Sequence, residues 1–529
     1  MSGRLGAAEP LGAGGGAITA PLGGRSRPHG GHARKTRRPT GSRIAALGLV
    51  LAAGVLALPA TAGASPNQRS ILQDDARVLR SGPEAREATL DELKALGVDT
   101  LKLTVSWRGL APSGRTRPSG FAADDPAAYA GWEPYDAAVA EAARRGLEVF
   151  LQVAGPAPDW ATGGRSDPPG VLRPDPVAFG AFVEAVGRRY SGSYGGLPRV
   201  GLWSVWNEPN LPRYLLPQRT SSRARTPVSP HLYRRLYETA HAGLVASGHG
   251  ADVILLGELL PIGRNATSSR SSLRPLEFLR EMACVDRRLR AIRGRAARSR
   301  GCSRYRALPT RGVAHHPYTP PAGPGVRPRS RDDVTIGTLD RLVRELDRLG
   351  RRRRLPRGLE VWVTEFGFQT DPPDTFGAPL RRVPGFMAES EWIAAASSRV
   401  GSWSQYPLVD DELSGEGVLR FGGFQSGLRL RDGSAKPGVY AAYERPLWVR
   451  DRGRGRVTIF GAVRAGDGSA TPARLESRLG AGAWRTVATA RLGPRGYFTR
   501  TVRLSRVPRR TFRFRWGDGV SRTTRAARR

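Results

Sequence analysis

A (β/α)₈ barrel followed by a small C-terminal all-β, sandwich-like domain is the fold class that this sequence predicts. Three observations carry the prediction. Short apolar runs alternate with amphipathic segments eight times between residues 66 and 447, and strands that alternate with helices make a parallel sheet. The runs are apolar throughout, as strands covered on both faces are. After about Pro446 the helical periodicity stops and short alternating strands replace it.

The units follow in order. "SILQDD" (Ser70–Asp75) and "ATLDELKALG" form the first pair, and "DTLKLTVSW" (Asp99–Trp107) and "EPYDAAVAEAARRG" (Glu133–Gly146) the second, with Gly146 as the helix stop. "LEVFLQVAG" precedes "RPDPVAFGAFVEAVGRRY", where Asp175 is the N-cap, Pro176 the first helical residue, and Arg188 and Arg189 oppose the dipole near the end. "RVGLWSVWNEPN" leads into "SPHLYRRLYETAHAGLVASG", and "ADVILLGELLP" into "RPLEFLREMACVDRRL". "RGVAHHPY" pairs with "DVTIGTLDRLVRELDRLG", "LEVWVTEFGFQT" with "AESEWIAAASSR", and "VGSWSQYPLVDD" with "KPGVYAAYERPL". A doubly wound open sheet is the competing arrangement, but no Gly-rich fingerprint follows the first strand. Residues 450–529 alternate apolar and polar positions in "GRVTIFGAVRAG" and "TFRFRWGDG", with Gly-rich turns between, which predicts a β-sandwich with a spacer or packing role.

The N-terminus predicts export. Residues 1–64 comprise a basic, Gly/Pro/Arg-rich leader of disordered composition and an apolar run, Ile44 to about Leu58, that ends in small residues; together these describe a secretory signal peptide. The run is short for a membrane span, which takes about 20 apolar residues, so an uncleaved anchor is the weaker reading and no span is expected in the mature form. Arg37-Arg38 is only a faint twin-arginine signal. Export makes a disulfide the preferred reading of the two cysteines, Cys284 and Cys302, with two free thiols as the alternative.

The formal net charge is +38, yet all but four of the 84 basic residues are arginines, spread along the chain. No single basic face with interleaved aromatics is visible, so no specific nucleic-acid binding is expected.

Barrel active sites lie at the carboxyl ends of the strands, and those ends are polar here: Gln73-Asp74-Asp75, Ser106-Trp107-Arg108, Asp159-Trp160, Asn207-Glu208, Glu258, His315-His316-Pro317-Tyr318, Thr364-Glu365 and Trp403-Ser404-Gln405-Tyr406. The pattern resembles clan A of the retaining glycoside hydrolases over roughly residues 66–447, resting on Asn207-Glu208-Pro209 after the fourth strand and Glu365 in "WVTEFGF" after the seventh. The resemblance implies a glycosidase with Glu208 as acid/base and Glu365 as nucleophile, because cleavage needs one carboxylic acid on the leaving oxygen and one carboxylate at the anomeric carbon. It implies that Asn207 bonds the sugar 2-hydroxyl, that His315 or His316 and Tyr318 position the nucleophile, and that Trp403 stacks on a sugar ring. Trp107 and Asp159, with Glu258, are further candidate sugar contacts, each equally readable as a core or capping residue. Carboxylates placed singly on separate strands imply no metal, and no cofactor is expected. The expected partner is an oligo- or polysaccharide; a non-catalytic carbohydrate-binding protein on the same barrel is the alternative.

Overall fold

The computed structural model describes residues 68–413, 420, 422–466 and 469–528. The expected leader and signal peptide, residues 1–64, lie outside the described residues. Eight parallel strands close into a barrel: β1 (Arg69–Gln73), β2 (Thr100–Ser106), β3 (Glu148–Ala154), β4 (Leu202–Val205), β5 (Val253–Leu259), β6 (Gly312–His315), β7 (Glu360–Val363) and β8 (Val400–Gln405). Closure comes from β1, which pairs with β2 on one side and with β8 on the other, Ser70 opposite Trp403.

The principal crossover helices are α1 (Pro83–Ala95), α2 (Glu133–Arg144), α3 (Pro176–Arg189), α4 (Ser229–Ala246), α5 (Pro275–Met282), α6 (Leu339–Arg351), α7 (Val383–Ala395) and α8 (Val439–Glu444). Local chemistry sets their ends. The Asp175 carboxylate accepts hydrogen bonds from the Val177 and Ala178 amides at the start of α3, and Pro176 occupies the position that lacks a helical amide partner. Arg189 in its last turn pairs with Asp136 of α2. After α5, Cys284 and Cys302 are joined by a disulfide with their Cα atoms 5.6 Å apart. Among the described residues no helix is long and apolar enough to cross a membrane.

Pleating divides each strand into an inward and an outward set. Ile71, Phe150, Leu202, Leu255, Ala314 and Trp362 point inward and plug the barrel with an apolar layer. The outward set packs against the helices in one continuous core. Above the apolar plug the inward positions become polar, with Gln73, Lys102, Thr104, Gln152 and Ser204 all at least half enclosed. That switch builds the site.

The C-terminal domain is two packed antiparallel sheets. One holds β9 (Leu447–Gly453), β10 (Arg456–Ala462) and β13 (Tyr497–Arg503); the other holds β11 (Ala473–Leu479), β12 (Arg485–Ala490) and β14 (Arg510–Trp516), with two short strands at its edge. Val449, Val457, Ile459 and Phe498 of the first meet Leu475, Phe512 and Phe514 of the second, and Phe498 and Phe514 contact edge to face at 5.1 Å. The outer face of the first sheet packs against α7: Trp392 and Ala395 cluster with Phe460, Ala462 and Tyr497. Arg464, 2% exposed, reaches into the barrel domain, bonding the Glu391 carboxylate at 2.6 Å and the Tyr443 carbonyl at 2.8 Å. Gly97 has φ +70° and an added Cβ would lie 2.3 Å from the Arg464 carbonyl carbon, so only glycine fits there.

Candidate active site

β4 ends at Val205, and the chain turns sharply through Trp206 (φ +70°) and Glu208 (φ +34°). Positive φ is costly for residues with a side chain and persists only where the surroundings impose it. Here Trp206 is tied by its backbone amide to Val153 and by its indole to the Tyr214 carbonyl at 3.0 Å. On the neighbouring strand, the register of β5 against β6 shifts between Gly257 and Leu259, and Glu258 has φ +22°. A bulge of this kind re-aims a side chain; it turns Glu258 into the barrel where plain alternation would have sent it outward. Tyr233 of α4 holds both irregularities. Its hydroxyl accepts from the Gly257 amide at 2.7 Å and lies 3.2 Å from the Val205 and Gly257 carbonyls.

Three carboxylates converge on His316, the residue after β6. Its Nδ1 lies 3.0 Å from Glu208 Oε1 and 3.6 Å from Glu365 Oε2. Two oxygens so close to one nitrogen are separated by no more than about 6.6 Å, so the two carboxylates share one site. On the opposite edge, Nε2 lies 2.6 Å from Glu258 Oε2. Tyr318 donates its hydroxyl to Glu365 Oε1 at 2.7 Å. Asn207 accepts from Gln152 Nε2 at 3.0 Å; Gln152 in turn accepts from Thr104, and Thr104 from Gln73, a chain of polar contacts across the first four strands.

The charges follow from the enclosure. Burial raises the Glu208 pKa above the usual carboxylate range; the His316 hydrogen bond opposes this, and Glu365 adds to it. Burial lowers His316, but Glu365 and the hydrogen bonds to Glu208 and Glu258 prevail and bring it to about 10. Glu258 is pushed up by burial and pulled down more strongly by Lys102 and His316, to about 2.

No family model and no curated protein sequence matches the chain. Solved structures of similar architecture include a beta-glucuronidase 2 from Bacteroides uniformis, covalently bound to cyclophellitol-6-carboxylate aziridine. That likeness has 10% identity and a TM-score of 0.40, and it covers 87% of this chain but only 46% of the other. Fungal beta-1,4-galactanases give 12% identity and a TM-score of 0.41, over 71% of this chain and 98% of theirs. These likenesses concern overall architecture, and the chemistry rests on the side chains described above.

The structure gathers Glu208, His316, Tyr318 and Glu365 into one connected cluster, with Asn207 next to Glu208 in the chain and bonded to Gln152. It places the other expected contacts elsewhere. His315 points outward, bonds the Val334 carbonyl at 2.8 Å and is held neutral by burial, at about 4. Trp403 is outward too, because Ser402 and Ser404 share the inward register of Trp362 and Ile71; its ring is enclosed against Phe366 at 5.0 Å and offers no platform to a sugar. Trp107 is fully enclosed between Phe179, Phe182 and Trp160. Asp159, with its side chain 45% exposed, is ion-paired to Arg108 at 2.7 Å and stands outside the cluster. Glu258 has no exposed surface, so it cannot bind a sugar hydroxyl as expected.

The aromatic surface beside the glutamates comes instead from the partly buried Tyr318, Tyr406, Tyr214 and Phe424. Phe424 touches Tyr318 at 6.0 Å and Tyr406 at 4.7 Å between centroids. Charge on Glu365 and Glu208 raises Tyr214, and charge on Glu365 raises Tyr406, after burial in each case. Tyr214 and Phe424 lie on long loops, where no periodic signal marks them. Lys102 was legible only as a charge inside an apolar strand.

Proposed function

We propose that the chain is a retaining O-glycoside hydrolase acting on an oligo- or polysaccharide, with Glu365 as nucleophile and Glu208 as general acid and base. The observation that carries this reading is the meeting of Glu208 and Glu365, from opposite sides of the barrel, on one nitrogen of His316.

The electrostatics suit the first step. Burial raises the Glu208 pKa, which favours the protonated acid that the leaving oxygen needs. Glu365 attacks the anomeric carbon through one oxygen while Tyr318 keeps its hydroxyl on the other. Asn207 stands next to Glu208, partly buried, to bond the sugar 2-hydroxyl. Once Glu365 is esterified its charge is gone, Glu208 loses a repulsive neighbour, and as a carboxylate it takes the proton from the water that releases the sugar. The tyrosines and Phe424 supply an apolar surface for the C–H face of the ring. The reading also includes export, carried by the N-terminal pattern alone.

A panel of aryl glycosides tests it. Wild-type protein turns over at least one of them with retention. Glu365→Ala abolishes turnover and covalent labelling by a 2-deoxy-2-fluoro glycoside, whereas Glu208→Ala spares substrates with activated leaving groups. Binding of sugars with no hydrolysis anywhere on a broad panel would replace the enzyme by a carbohydrate-binding protein.

A further inference from the structure

The barrel contains a third carboxylate that the two-glutamate chemistry does not use. Glu258 has no exposed surface, and four side chains from four different strand regions meet it: Lys102 Nζ from β2 at 2.5 Å, Ser204 Oγ from β4, His316 Nε2 after β6 at 2.6 Å and Thr364 Oγ1 after β7 at 3.2 Å. A buried ion pair is a poor device for stability, because well-packed apolar side chains of the same volume serve as well or better. The apolar layer directly below, with Phe150, Leu255 and Trp362, shows how this barrel fills its interior where nothing else is required. The β5 bulge, with its positive-φ glutamate and its dedicated Tyr233 brace, exists to aim Glu258 into this position.

Of the four partners, only His316 continues to the proposed catalytic pair. We propose that Glu258, itself anchored by Lys102, is a positioning residue that fixes a hydrogen on His316 Nε2, so that the Nδ1 edge of the ring shares one proton with Glu208 beside Glu365. This rests on the double-displacement reading for its catalytic meaning, but not for its geometry.

Rotating the imidazole by half a turn about its Cβ–Cγ bond would put carbon atoms where both nitrogens now stand, losing the contacts to Glu258 and Glu208 together. Lys102 and Glu258 neutralise one another. His316 and Glu208 hold one proton between them, whichever atom carries it at a given moment. The remaining negative charge is then that of Glu365, the group that must attack. The titratable groups facing the ring are Glu208 from β4, Glu258 from β5 and Glu365 from β7, with Lys102 behind Glu258 and Tyr318 behind Glu365; His315, the adjacent residue, turns away. The elevated pKa of His316 and the depressed pKa of Glu258 agree with this division of charge.

Nitrogen NMR of ¹⁵N-histidine-labelled protein decides it. The chain has seven histidines, and the His316 signals are assigned by their loss in His316→Gln. In the wild type, Nε2 keeps its hydrogen from pH 5 to 9, with a downfield, slowly exchanging proton; in Glu258→Gln that proton disappears and the ring titrates at lower pH. In parallel, Glu258→Gln lowers kcat on an activated aryl glycoside by about 10-fold or more while KM changes little, the scale of a lost hydrogen bond to a charged group. Thr364→Val, which keeps every charge and removes one bond to Glu258, gives a smaller loss in the same direction. If Glu258→Gln does not fold, Lys102→Met/Glu258→Gln removes both charges together and permits the same measurement. Unchanged His316 signals in a folded Glu258 variant overturn the proposal. Absence of glycoside turnover in the wild type overturns the hydrolase reading, and the NMR result still decides the positioning role.

Discussion

Replacing Glu365 with glutamine removes one charge, keeps the volume, and should lower the pKa of Glu208. The size follows from the geometry. The nearest oxygens of the two carboxylates are no more than about 6.6 Å apart, and at an effective dielectric constant of about 20 two unit charges that close repel by about 2.5 kcal/mol or more. The sign is fixed as well: the Glu365 charge raises Glu208, so its removal lowers it. His316 keeps its contact with Glu208 in the variant and absorbs part of the effect, so the midpoint falls by less than the bare interaction would give. Carbon NMR of protein labelled at the glutamate carboxyls reads this directly, with the Glu208 signal assigned by its loss in Glu208→Gln and the midpoint taken as that of the coupled cluster. Loss of activity in Glu365→Gln does not interfere, because no turnover is required. A midpoint that stays in place or rises would refute the reasoning, since two carboxylates that do not sense each other cannot exchange acid and base roles when one is esterified.

Tyr318→Phe removes the hydroxyl that Glu365 accepts at 2.7 Å; kcat on aryl glycosides should fall by about 10- to 100-fold with the fold intact by circular dichroism. Arg464→Met strands the buried Glu391 carboxylate and should cost about 3–5 kcal/mol in denaturant unfolding, most of it recovered in Arg464→Met/Glu391→Leu. Cys284→Ser/Cys302→Ser opens a loop with a sequence separation of 18 and should lower stability by about 3 kcal/mol, with little change in turnover because the bridge lies outside the glutamate cluster.

The barrel was legible because its two periodicities are strong: apolar runs of strand length and amphipathic segments of helix length, with Asp175-Pro176 marking a helix start in the expected way. Glu208 and Glu365 were legible as a pair, because Asn207-Glu208-Pro209 after the fourth strand and "WVTEFGF" after the seventh together resemble the clan A pattern. What the residues did not reveal is parity. "HHPY" contains one inward and one outward histidine, and only the register of β6 against β7 decides that His316 faces the glutamates while His315 faces Val334. The same parity sends Trp403 into the outer layer. Glu258 was harder still, since the β5 bulge reverses the alternation that the strand would otherwise show. Tyr214 and Phe424 come from segments without periodicity, placed by tertiary contacts such as the indole of Trp206 on the Tyr214 carbonyl.

The junction between barrel and sandwich has a consequence for how this protein can be recombined. Arg464 belongs to one half by sequence but finds its counter-ion, Glu391, in the other, and Gly97 has given up a side chain to make room for its backbone. A gene that ended after α8 would encode a barrel with Trp392 laid bare and Glu391 deprived of its counter-ion. Neither half is a portable cassette. Shuffling that exchanged the sandwich for another module would have to carry Arg464 and its neighbours along, so the two halves are expected to be inherited as a pair.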